Sequence, residues 1–127
     1  MTTAYLCLLI AGVLPLICTG IAKKGFPNYD NHNPRAWLAQ QSGARARANA
    51  AEANSLEAFA FFAATLLAAI QTGVAASTVN TLAVVFVLAR IAYIYCYVSD
   101  RASLRTAVWA VGYGSVIALG VLAVRAA

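Results

Sequence analysis

A chain of 127 residues that is 62% hydrophobic and only 10% charged carries more apolar surface than a soluble domain of its size can hide, since ordinary domains run near 45–50% apolar and about 25% charged. The formal net charge of +5 does not point to nucleic acid, because the basic residues gather beside apolar stretches instead of forming a soluble basic patch. An ordinary water-soluble enzyme is excluded, and an integral membrane protein is expected.

Crossing a hydrocarbon core of about 30 Å takes about 20 apolar residues in a helix. Four stretches qualify: Ala4 to Ala22, about Asn54 to Ile70, about Thr78 to Val98, and Thr106 to Val124. The first lacks a basic residue before its apolar core and a small-x-small site at its end, so it reads as a span and not as a signal peptide. Leu16-Ile17-Cys18 is only a faint lipoprotein cleavage box, with Ile17 where a small residue belongs. Pro15 predicts a kink that a membrane tolerates when neighbouring helices cover the freed carbonyl.

The only sizeable connection runs from Lys23 to about Arg45. Its segment Phe26 to Arg35 packs Pro, Asn and Asp together and predicts an ordered loop. His32 lies there without a second ligand at metal spacing and reads as a solvated side chain. From about Ala44 the sequence turns alanine-rich, so the second helix is expected to begin outside the membrane and to carry Arg45, Arg47 and Asn49. Small residues recur every fourth position at Ala60, Ala64 and Ala68, and at Ala110, Gly114 and Ala118, which predicts close helix packing within or between chains.

Lys23, Lys24, Arg35, Arg45 and Arg47 flank or fill the first connection and Arg101 and Arg105 the third, while the second, Gln71 to Ser77, has no charge. The positive-inside rule then makes the first and third connections cytoplasmic and leaves both termini outside. Cys7, Cys18 and Cys96 fall within spans as small apolar residues without metal-type spacing. No internal repeat stands out, and residues 1–127 read as one all-α, four-span domain.

A charge inside a bilayer costs about 2.5–3.5 kcal/mol on insertion scales, so the polar residues within the spans carry the functional information. Arg47, Asn54 and Glu57 share one face of the second helix, which places Glu57 inside the bundle. Arg90, Tyr93, Tyr97 and Arg101 share a face of the third, with Asp100 one turn beyond Tyr97. Arg90 is deep enough to need a partner, and Glu57 is the candidate. On the fourth helix Arg105, Trp109 and Tyr113 follow at intervals of four, a cation above aromatic rings. Each stripe also has a structural reading: a Glu57–Arg90 pair between helices, Tyr93, Tyr95, Tyr97 and Trp109 as interfacial aromatics, Arg101 and Arg105 as helix-end anchors. Together they converge on a cytoplasm-facing pocket bordered by lipid, suited to an anionic polar cofactor meeting an apolar substrate.

The run Arg47-Ala48 followed by Asn54-Ser55-Leu56-Glu57-Ala58-Phe59, with Asp30-Asn31 and Asn33-Pro34-Arg35 before it and Arg90, Tyr97, Arg101 and Arg105 after it, resembles the MAPEG family, the membrane-associated proteins of eicosanoid and glutathione metabolism, in a bacterial-type form. The resemblance implies a homotrimer of four-helix bundles in a bacterial inner membrane, with glutathione as co-substrate bound between subunits near the cytoplasmic face. By position it assigns binding to Arg47, Asn54, Glu57, Arg90, Tyr93, Tyr97 and Arg101, and thiol activation to Arg105 with Thr106. The chain departs from the animal enzymes of the family at Ala50 and Glu52, where those carry an arginine and a histidine.

The expected function is therefore a glutathione-dependent transferase or peroxidase acting on an apolar electrophile or lipid hydroperoxide. A non-catalytic lipid- or partner-binding protein of the same fold is the alternative that Ala50 and Glu52 favour. A small proton-coupled multidrug exporter working through Glu57 is a third reading, weakened by arginines that stabilise the ionised carboxylate and repel a cationic drug.

Overall fold

In a computed structural model that describes every residue except Phe26, the chain is helical throughout: α1 Thr2–Ala22, α2 Pro34–Ala39, α3 Gly43–Gln71, α4 Ala76–Val98 and α5 Ala102–Ala126. The four long helices are each apolar and long enough to cross a membrane. The expected spans are all present. The second lies inside a 29-residue helix that starts well before the apolar stretch, as its alanine-rich opening predicts.

Two of the differences from the sequence reading lie in the connections. The segment Phe26 to Arg35 holds its turn through Asp30, which accepts from the His32 backbone N–H at 2.9 Å and from Asn33 Nδ2 at 3.2 Å; Phe26 itself lies outside the described residues. The chain then makes the short α2, opened by Pro34 at its first turn, whose fixed φ suits that position. Trp37 of α2 is buried, donates its indole N–H to the Pro27 carbonyl at 2.9 Å, and meets Tyr29 edge to face. The third connection is only three residues long because Asp100 adopts a left-handed conformation, φ 61°, and the Arg101 N–H closes back on the Cys96 carbonyl at 2.8 Å. That turn breaks the helical register, so Arg101 leaves the face of Arg90, Tyr93 and Tyr97. α1 runs on as a helix through Pro15.

The helices form an antiparallel bundle in which α1 packs on α3 and α4, and α5 packs on α3 and α4. Phe62 of α3 stacks on Phe86 of α4 with ring centroids 4.0 Å apart, and Leu66, Val79, Val116 and Leu119 are fully enclosed around them. A smaller cluster of Leu14, Cys18, Ala51, Tyr93 and Ile94 lies toward the basic end. Hydroxyls spend their hydrogen bonds within their own helices: Thr19 on Pro15, Thr65 on Phe61, Thr72 on Ala68 and Ser115 on Gly112. This is how such residues sit in an apolar medium without an orphaned donor.

The ends of the bundle are tied by side chains that satisfy free helix termini. At one end the Ala4 N–H of α1 donates to Asn80 Oδ1 of α4 at 3.1 Å. At the other, Arg45 Nη1 donates to the Ala22 carbonyl at the close of α1 at 3.2 Å, and Arg47 donates through Nε and Nη2 to the Val98 carbonyl at the close of α4, at 3.2 and 3.1 Å. A cation on the last carbonyls of a helix is also favoured by the helix dipole. Lys23, Lys24, Arg35, Arg45, Arg47, Arg101 and Arg105 therefore share one end of the bundle, with Arg90 inside it and Arg125 at the far end.

Replacing Arg47 by Ala frees the last carbonyl of α4 and removes a charged hydrogen-bond donor, an effect of about 1.5–3 kcal/mol. Hydrogen exchange is expected to accelerate at Ser99 and Arg101 and not at Val79 or Leu82. Uniform acceleration along α4 would contradict a local cap.

Candidate functional site

Arg90 is the one charged side chain among the described residues that is buried, at 4% exposure. It sits on α4 between the two apolar clusters. Its Nη2 donates to Ser55 Oγ of α3 at 3.1 Å, and its guanidinium lies 4.0 Å over the ring of Tyr93 one turn along. On the α5 side, Gly112 leaves room: a Cβ there would stand 4.0 Å from Arg90 Cδ and 3.4 Å from Ala89 Cβ.

The expected partner of Arg90 is corrected by this geometry. Glu57 is exposed on the surface of the single bundle, and no ion pair joins it to Arg90 among the described residues. The reason is register. Ser55 falls on the buried stripe of α3 with Ala48, Ala51 and Phe62, so it faces Arg90, whereas Glu57 two residues on is turned outward. The hydroxyl on that apolar stripe was the available signal for Ser55, to which the sequence reading gave no role.

Arg90 and Glu57 nevertheless border one cavity of about 200 Å³ between α3, α4 and α5, lined also by Asn54, Phe61, Phe86, Trp109 and Tyr113. Asn54 also borders the cavity, and its Oδ1 is buried there without a hydrogen-bond partner. Trp109 stacks on Tyr113 at 5.0 Å and 15°, and Tyr113 leans on Phe61 at 6.0 Å, forming an aromatic wall opposite the polar groups.

The remaining candidates divide. Arg105 does not cover the aromatic rings of its own helix; its guanidinium lies 4.3 Å over Tyr97 of α4, and Tyr97 meets Tyr93 edge to face at 5.6 Å. Arg105, Tyr97, Tyr93 and Arg90 thus form a ladder from the basic end to the cavity, each cation on an electron-rich ring face. Arg101 lies 6.0 Å over exposed Tyr95, away from that ladder. Arg47 is engaged at the end of α4, and Thr106 is exposed with its hydroxyl donating to the Ala102 carbonyl at 3.2 Å. A second, more open cavity of about 620 Å³ lies between α1, α2 and α3 at the basic end, where Lys23, Arg35, Asn49 and Glu52 meet Leu38 and Leu56.

The sequence that builds this arrangement matches the model of the MAPEG family over residues 3–125, a range that reaches into all four membrane-length helices. The chain belongs to the MAPEG family. It has no match among curated proteins or among solved structures. Membership, with four apolar helices of membrane-spanning length, fits a multi-pass membrane protein, and the family is broadly one of glutathione-related transferases and peroxidases. In this MAPEG chain the polar groups of the run Asn54 to Glu57 divide between two faces of α3: Ser55 serves the core, Asn54 and Glu57 the cavity.

Enlarging Gly112 tests how tightly Arg90 is lodged. Gly112→Ala is expected to melt within about 0.5 kcal/mol of the parent, while Gly112→Leu overfills the space beside Ala89 and Arg90 and costs about 1–3 kcal/mol in a detergent thermal melt. Equal melting of the two variants would contradict the packing described.

Proposed function

We propose that this MAPEG chain is a membrane-bound, glutathione-dependent transferase or peroxidase acting on an apolar electrophile or lipid hydroperoxide. The observation that carries the reading is the cavity in which a buried guanidinium, a carboxylate and an unpartnered amide oxygen meet an aromatic wall within the membrane-spanning helices. Glutathione fits that donor set, since it has carboxylates for Arg90 and amide and ammonium N–H groups for Asn54 and Glu57. When bound, it supplies the nucleophilic sulfur.

The chain's own residues supply the rest. A free thiol has a pKa of about 8.5 and is mostly protonated at neutral pH, so a cation and a hydroxyl donor beside it favour the reactive thiolate. Arg105 and Thr106 take these roles: the guanidinium is already seated on Tyr97, and Thr106 turns its hydroxyl from the Ala102 carbonyl to donate. Tyr93 and Tyr97 hold the two arginines in line, and Arg47 and Arg101 complete the basic rim of the binding set. The aromatic wall receives the apolar substrate from the bilayer.

Residues 1–127 act as one four-span domain, and three copies form the working unit. Support for the trimer comes from the single bundle's outer surface, where Ala60, Ala64, Ala110 and Gly114 are exposed together with Glu57. A carboxylate turned to lipid is costly, and a neighbouring copy packed along small residues covers it. The gathering of basic residues at one end supports a bacterial inner-membrane orientation with that end cytoplasmic and both termini outside. A second reading, a non-catalytic lipid- or partner-binding protein, is favoured by Glu52, whose carboxylate lines the larger cavity together with Lys23 and Arg35 and weakens its pull on an anion.

Calorimetry on the detergent-purified protein is expected to show saturable glutathione binding, with thiolate absorbance near about 240 nm in the same sample. Arg105→Ala is expected to lower kcat/KM by about a hundredfold while the melting temperature holds. Turnover at the parent rate in that variant would sink the catalytic role, and absence of binding would move the function to the non-catalytic reading. Sedimentation in matched-density detergent should give the protein mass of three chains.

A further inference from the structure

Arg90 and Glu57 are opposite charges bordering one low-dielectric cavity, yet they do not pair. Attraction between such charges is strong where water is scarce, so something holds them apart. Arg90 is gripped from the core side: Ser55 Oγ takes one N–H at 3.1 Å, and the Tyr93 ring lies 4.0 Å beneath the guanidinium. A guanidinium has five N–H donors, and Ser55 accepts the only hydrogen bond that Arg90 makes among the described residues. The one buried side-chain polar atom left without a partner there is Asn54 Oδ1, so the other nitrogens of Arg90 are not sealed into protein but reach the cavity.

We propose that Ser55 is a positioning residue: its hydroxyl anchors Arg90 from behind, keeps the guanidinium from collapsing onto Glu57, and so holds the cavity open with the cation on one side and the Glu57 carboxylate on the other. This deepens the reading of the cavity as the binding site and rests on it. Without the anchor, Arg90 swings toward Glu57, and the ion pair occupies the space that a ligand's charged groups need. Ser55 touches no ligand in this scheme; it acts through Arg90. Its place on the core stripe of α3, one residue from Asn54 and two from Glu57, lets one helix set both the acceptors and the anchor of the cation.

The deciding experiment labels the purified protein in detergent with phenylglyoxal, which modifies accessible guanidinium groups, and follows Arg90 by peptide mass spectrometry. A hydrogen bond to a charged group changes an equilibrium by about tenfold or more, so Arg90 labelling is expected to fall by about that factor in Ser55→Ala. It should return in Ser55→Ala with Glu57→Gln, where no ion pair forms, and match the parent in Ser55→Thr, where the hydroxyl is kept. A merely structural serine predicts neither rescue. Glutathione affinity, measured alongside, should drop by a similar factor in Ser55→Ala and hold in Ser55→Thr. Parent-rate labelling in folded Ser55→Ala overturns the proposal. Should that variant not fold, Ser55→Cys, with its weak acceptor, must show an intermediate fall, and parent-rate labelling there overturns it equally. If the parent protein binds no glutathione, the functional reading fails alone, and the labelling series still judges Ser55.

Discussion

A guanidinium enclosed in an apolar bundle is the constraint on which the rest of this molecule turns. Arg90 is costly to place inside a membrane protein, and the fold meets that cost with three arrangements. Ser55 offers an acceptor from the core stripe of α3, Tyr93 offers its ring face one turn along α4, and Gly112 of α5 leaves room beside the Arg90 side chain. None of these neutralises the charge. The cavity bounded by Asn54 and Glu57 follows from that choice, because an unneutralised cation gives a polar end to a space otherwise walled by Phe61, Phe86, Trp109 and Tyr113.

The arginines of the chain share a chemistry and divide its uses. Arg45 and Arg47 end on backbone carbonyls and fasten α1 and α4 to the start of α3. Arg105 rides on Tyr97 and Arg90 on Tyr93, so cations and rings alternate from the basic end of the bundle toward its middle. The caps hold the helix ends in register, and that register aligns Tyr97 with Arg105 across the α4–α5 turn at Asp100. Helix-end chemistry and site chemistry are therefore coupled through the same short connection.

A single bundle leaves polar and small residues on its outside that suit protein better than lipid. Exposed Glu57, with Ala60 and Ala64 beside it on α3 and Ala110 and Gly114 on α5, sets small and polar residues among the larger exposed side chains of these helices. On α1, Leu6, Leu9, Val13 and Leu16 are exposed and large, as a lipid-facing surface requires. The cavity is bordered by Glu57 and by other residues of the same two helices, which is why the proposed assembly and the proposed binding site are parts of one reading.

Composition and spacing were enough to establish the spans, the early start of the second helix and the grouping of basic residues at one end, because insertion in lipid depends on the length and charge of each segment and on little else. The run from Asn54 to Glu57 was legible in the same way as a polar element in an apolar helix. What periodicity left open was which of its residues meets which charge. Glu57 was the natural partner for Arg90 on charge alone, and Ser55 took the place because α3 is rotated to bury Ala48, Ala51, Ser55 and Phe62. Arg101 left its expected face because Asp100 turned the chain, and Arg105 chose Tyr97 on α4 over the rings of its own helix. Helix rotation and turn geometry are set by how all the helices pack together, and a one-dimensional pattern does not contain them.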